Sequence, residues 1–157
     1  MKSLLIAASV ALAALAASAS MKTAVRIAPI TIPAGTAEKT ISLDIHKVRA
    51  ELLNAAKSHQ HDVTLELDVE AERSPQVFYE VHVGKTNVGN IALYGVGIRS
   101  EAQGTFHPAH VQLFISDALL RSRAARTLKI TFVANGKPVE ALMIRNASIV
   151  IGPRQRE

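Results

Sequence analysis

Alternation of apolar and polar side chains is the dominant pattern along this chain. Val63, Leu65, Leu67 and Val69 fall on one side of a segment whose other side carries Thr64, Glu66, Asp68 and Glu70. Successive side chains of a strand point to opposite faces, so this segment reads as a half-buried strand with its polar face in water. The same period predicts strands at Ile41-Leu43-Ile45, Val77-Tyr79-Val81-Val83, Val111-Leu113-Ile115 and Leu128-Ile130-Phe132, and a glycine-interrupted strand over 88–98. Val25-Ile27 and Ile30-Ile32 also alternate, and Pro29 shifts the phase between them, as at an edge strand or bulge. Asn135-Gly136, between the 128–133 strand and the apolar 139–151 segment, is the strongest hairpin signal.

Two stretches depart from this period. Ile45, Val48, Leu52 and Ala55-Ala56 recur at helical spacing and predict an amphipathic helix over 46–57. A shorter helix is expected over 117–123, with Ser116 as its N-cap. Placing the two side by side exposes an internal repeat. Strand 40–45 leads through a helix to strand 63–67, and strand 110–115 leads through a helix to strand 128–132. One such unit cannot bury its apolar face alone, whereas two can close a pseudo-symmetric sandwich. The expected fold class is mainly β: an antiparallel, jelly-roll-like β-sandwich with a strand–helix–strand repeat and one or two short helices.

The N-terminus reads differently. Lys2 precedes an uncharged apolar run from Leu4 to Ala16, and Ala17-Ser18-Ala19 offers small residues for cleavage. This is the three-part pattern of a secretory signal peptide, too short to span a bilayer comfortably. Residues 1–19 are therefore expected to be a signal peptide, 20–37 an N-terminal strand and lead-in, 38–152 the sandwich and 153–157 a basic tail. The expected location is secreted or periplasmic, with no membrane span after cleavage.

Composition narrows the chemistry. The absence of cysteine excludes disulfides, thiolate metal sites and cysteine nucleophiles. Six aromatic rings and no Trp are too few for a stacking platform, and a net charge of +5 without a Lys/Arg run reads as a solvated surface, so no nucleic acid is expected as partner. Gly84-Lys85-Thr86 lacks the earlier glycine of a phosphate loop, since Tyr79 stands there, and no G-x-S-x-G occurs. No catalytic constellation emerges. Among the six histidines, His59-Gln60-His61 and His107-Pro108-Ala109-His110 each bring two imidazoles close in sequence. They are the candidate metal ligands, although a firm site needs three or four convergent ones.

Two longer stretches carry a resemblance. Val77-Phe78-Tyr79-Glu80-Val81-His82-Val83-Gly84 followed by Val88-Gly89-Asn90-Ile91-Ala92-Leu93-Tyr94-Gly95 is one; Gly104-Thr105-Phe106-His107-Pro108-Ala109-His110 with the second strand–helix–strand unit is the other. Both resemble the C-terminal domain of tyrosinases, polyphenol oxidases and hemocyanin-like type-3 copper proteins, and the resemblance covers most of residues 38–151. It implies a β-sandwich that packs over a dicopper domain, shields its active site with one bulky side chain and assists copper loading. The catalytic domain itself has no counterpart in this sequence. The implied function is non-catalytic: docking on, or assisting maturation of, a tyrosinase-like copper oxidase, with no cofactor of its own and copper met only through the partner. Phe106, ahead of a proline-containing turn, is the first candidate for the plug, and Tyr94, beside Gly95, the second, with His107 and His110 flanking Phe106. The alternative is a small extracytoplasmic copper-binding protein that uses His59 and His61, or His107 and His110.

Overall fold

The computed structural model describes residues 20–122 and 126–154; the expected signal peptide lies outside them. The strands are β1 (Lys22–Ile27), β2 (Ile30–Ile32), β3 (Glu38–Asp44), β4 (His61–Glu70), β5 (Tyr79–Val83), β6 (Thr86–Ile91), β7 (Ala109–Phe114), β8 (Thr127–Ala134) and β9 (Leu142–Pro153). Helix α1 is Arg49–Lys57, and helix α2 is Ser116–Ser122. The strands form two antiparallel sheets. In one, β1, β9, β4 and β7 lie in that order with β2 also paired to β9; in the other the order is β3, β8, β5, β6. This is the expected β-sandwich.

The internal repeat explains how the sheets are joined. Unit β3–α1–β4 starts in the four-stranded sheet and ends in the five-stranded one, while β7–α2–β8 makes the reverse crossing. The units interlock: β3 pairs with β8, setting Ile41 opposite Ile130 and Leu43 opposite Leu128, and β4 pairs with β7, setting Leu65 opposite Leu113 and Leu67 opposite Val111. Each unit thus supplies the partner strand that the other lacks in each sheet, and α1 packs against α2 where the two crossings meet. The apolar rows of β4 and β9 face that of β8 across the sandwich, with Leu65, Leu67, Leu128, Ile130, Phe132, Ile144 and Ile149 fully buried.

Four local expectations need correction. Asn135-Gly136 is not a hairpin turn, because β8 and β9 belong to different sheets; the Asn135 side chain instead accepts the Phe78 amide at 2.9 Å and ties the crossing to the entry of β5. The tight hairpin is Gly84-Lys85, which joins Val83 of β5 to Thr86 of β6, and Gly84 takes the positive φ (62°) that primed turns require. The 88–98 strand stops at Ile91, because Gly95 and Gly97 adopt φ of 75° and 76° and turn the chain into a loop. Helix α1 begins at Arg49 rather than at residue 46: Asp44 Oδ1 accepts the His46 amide and holds 46–48 in a turn. Ser116 is the first residue of α2, and its hydroxyl accepts the Val63 amide at 3.0 Å, so it fastens the start of β4 instead of capping the helix.

Candidate functional site

The polar face of the five-stranded sheet carries an ordered cluster at one end of β4. Asp68 lies in register with His110 on β7 and Asn146 on β9. Its two carboxylate oxygens are taken separately, Oδ1 by His110 Nδ1 at 2.9 Å and Oδ2 by Asn146 Nδ2 at 2.9 Å. These contacts, the His110 hydrogen bond above all, hold the Asp68 pKa below its ordinary 3.8. The register then slips by one residue between Asp68 and Val69, so Arg145 falls opposite no residue of β4 in the ladder and stands exposed beside Asn146.

That bulge brings Arg145 to Glu70. Glu70 is only 1% exposed, although alternation alone places it on the solvated face. Arg145 Nε donates to its Oε1 at 2.6 Å, and Arg99 Nη2 lies 3.1 Å from both carboxylate oxygens. Burial pushes the Glu70 pKa up, and hydrogen bonds and charge from Arg145 and Arg99 more than reverse this, leaving it below the ordinary 4.5. Arg99 also lies over the Phe106 ring, its Cζ 4.3 Å from the centroid, a cation–π contact made by the same guanidinium.

The cluster clasps the long connection between β6 and β7 to the sheet. Ala71 donates its amide to Gly97 O at 2.8 Å, Arg99 donates to Ala71 O at 2.9 Å and Ser100 to Glu72 O at 2.9 Å. Gly97 is pressed so close that a Cβ there would stand 2.7 Å from Val69 O and 2.9 Å from Ala109 N. The base of the loop is therefore rigid, and its tip projects. Tyr94 is 87% exposed and Val96 60%, flanking Gly95. An apolar ring exposed to this degree is a candidate contact surface.

The candidates named from sequence separate into distinct places. Tyr94 is at the loop tip. Phe106 is half-buried beneath Arg99, and His107 beside it is exposed. His110 is bound to Asp68. His59 and His61 lie at the opposite end of β4, exposed, with His61 Nδ1 3.3 Å from Ser58 Oγ. His61 and Asp68 are seven positions apart on the strand, about 23 Å at 3.3 Å per residue, so the two histidine pairs cannot share one ion. Among the described residues no three metal-ligating side chains converge. Sequence reasoning missed Glu70, Arg99 and Arg145. The one available signal was Arg145-Asn146, two adjacent polar residues that interrupt the alternation of β9 and mark the bulge.

No protein-family model matches the chain, and no curated protein matches it in sequence. Solved structures do match in fold. The recombinantly expressed latent aurone synthase, a polyphenol oxidase, superposes with a TM-score of 0.50 at 11% identity over 82% of this chain and 26% of its own. The same enzyme from its natural source gives 0.49 at 11% identity over 80% and 26%, and latent apple tyrosinase gives 0.42 at 16% over 79% and 27%. The chain thus spans about a quarter of the length of these structures. The similarity to polyphenol oxidases expected from sequence is present at the level of fold.

Proposed function

We propose that this protein is a non-catalytic docking domain that covers the active-site mouth of a tyrosinase-like copper oxidase, or escorts that oxidase through maturation. One observation carries the reading: the shared fold takes in 82% of this chain yet only 26% of a polyphenol oxidase, so what is shared is one part of that larger protein. The loop tip supports it. Tyr94 is the most exposed of the large apolar side chains in the described residues and stands on a clasped base, as a plug for a phenol-sized pocket requires. In this reading Tyr94 takes the leading role and Phe106 anchors the loop through Arg99, while His107 and His110 border the contact. The copper belongs to the partner, and the protein turns over no substrate itself. Among the described residues no helix is long and apolar enough to cross a membrane.

Size-exclusion chromatography of the protein mixed with a copper-loaded tyrosinase catalytic domain lacking its own C-terminal region tests the proposal. Co-elution as a one-to-one complex with loss of phenol turnover is expected. Separate elution at tens of micromolar, with turnover undiminished, overturns it.

A further inference from the structure

A second feature lies at the hairpin end of the four-stranded sheet, away from the docking loop. The Gly84-Lys85 turn, the last turn of α2 and the start of β8 enclose a cleft of about 490 Å³. Its walls include Lys85, Arg121 and Lys129, one cation from each of three elements, together with the hydroxyls of Thr86 and Thr127. Among the described residues no carboxylate lines it. Among the described residues none of the three cations is engaged in an ion pair, so their charge is available to a ligand. Asp44 lies opposite Thr127 on β3, but its Oδ1 is occupied by the His46 amide.

The cleft is held in shape by backbone. Gly84 N donates to Lys129 O at 2.9 Å, which fixes the hairpin to β8, and a Cβ on Gly84 would meet Ser122 Cβ at 3.4 Å, so hairpin and helix end are in contact. The end of a helix presents carbonyl oxygens that oppose an anion. Ser122 reduces that opposition by donating its hydroxyl to Leu119 O at 3.0 Å. Two lysines and one arginine thus line a space within the range of small-molecule sites. Strongly hydrated ammonium groups suit phosphate oxygens as point charges, and a guanidinium adds directed N–H donors.

We infer that this cleft binds a compact polyphosphorylated small molecule, its phosphates shared among Lys85, Arg121 and Lys129. Sodium tripolyphosphate is the probe. Calorimetric titration of the full protein, with amide chemical-shift mapping by NMR, reads affinity and place together. Saturable one-to-one binding is expected, with the largest shifts at Gly84, Lys85, Thr86 and Ser122. The double variant Arg121→Gln/Lys129→Gln should bind at least tenfold more weakly. Arg26→Gln/Lys137→Gln, which removes the same charge elsewhere, should bind within about twofold of wild type. Equal weakening by the two double variants, shifts spread over the basic surface at large, or tighter binding of citrate than of tripolyphosphate would each overturn the assignment. The melting temperature of each variant establishes that it is folded.

Discussion

Replacing Glu70 by Gln tests how the connection between β6 and β7 is held. The substitution keeps the side-chain volume but removes the charge that Arg99 and Arg145 share, and it turns an amide group toward two guanidinium donors. A hydrogen bond to a charged group contributes about 1.5–3 kcal/mol when well shielded. Here the carboxylate is 1% exposed, while the arginines are 41% and 53% exposed and regain water when released, which reduces the loss. The expected destabilisation is about 2 kcal/mol at neutral pH, or roughly 6–10 °C in melting temperature for a domain of this size. The sign of the pH dependence follows from the lowered pKa. A carboxylate depressed in the folded state contributes stability that is complete above its unfolded value, near 4.5, and lost as pH falls through the folded value. The gap between wild type and Glu70→Gln, measured by urea denaturation, should therefore be full at pH 7 and close as the solution is acidified below pH 4.5. Hydrogen exchange should quicken at the Ala71, Arg99 and Ser100 amides, which carry the loop's backbone bonds. A variant within about 0.5 kcal/mol of wild type at pH 7, or a gap that does not change with pH, would refute the clasp.

Other perturbations have equally definite outcomes. Gly97→Ala should destabilise by about 2–4 kcal/mol, since φ is 76° and the new Cβ would stand 2.7 Å from Val69 O; a fully stable variant in thermal melts would show that the loop is not pinned there. Tyr79→Phe should be neutral or stabilising by about 1 kcal/mol, because the Tyr79 hydroxyl is buried and meets no hydrogen-bonding group among the described residues, and its burial raises the phenol pKa. A loss above about 1 kcal/mol in denaturant titrations would show instead that the hydroxyl is bonded.

Much of the sandwich was legible because its strands carry a clean period of two. The repeat was legible because both halves place the same apolar rows around a helix, and the register of Ile41 with Ile130 and of Leu65 with Leu113 is what that repeat demands. Pairing partners were harder to read. Asn135-Gly136 has the local chemistry of a hairpin, but the flanking strands find better partners in opposite sheets, a choice made by long-range packing and not by the turn. Glu70 shows the same limit in the site. Alternation correctly assigns it to the outer face of β4, yet a connection of 17 residues returns over that face and a bulge on β9 delivers Arg145 to it. Both aromatic candidates were identifiable by residue type, but the sequence carried no sign that Arg99 covers the Phe106 ring while Tyr94 stands 87% exposed.

Docking through the loop tip is most directly tested by titrating a tyrosinase catalytic domain that lacks its C-terminal region with wild-type protein and with Tyr94→Ala, reading inhibition of phenol turnover. Tyr94 is 87% exposed, so its removal should leave the melting temperature unchanged. Burying an aromatic side chain of this size contributes about 1.5–3 kcal/mol, which is roughly a ten- to hundredfold change in affinity. The account predicts inhibition by the wild type and a loss of that size in Tyr94→Ala; equal inhibition by the two proteins, or none by either, would contradict it.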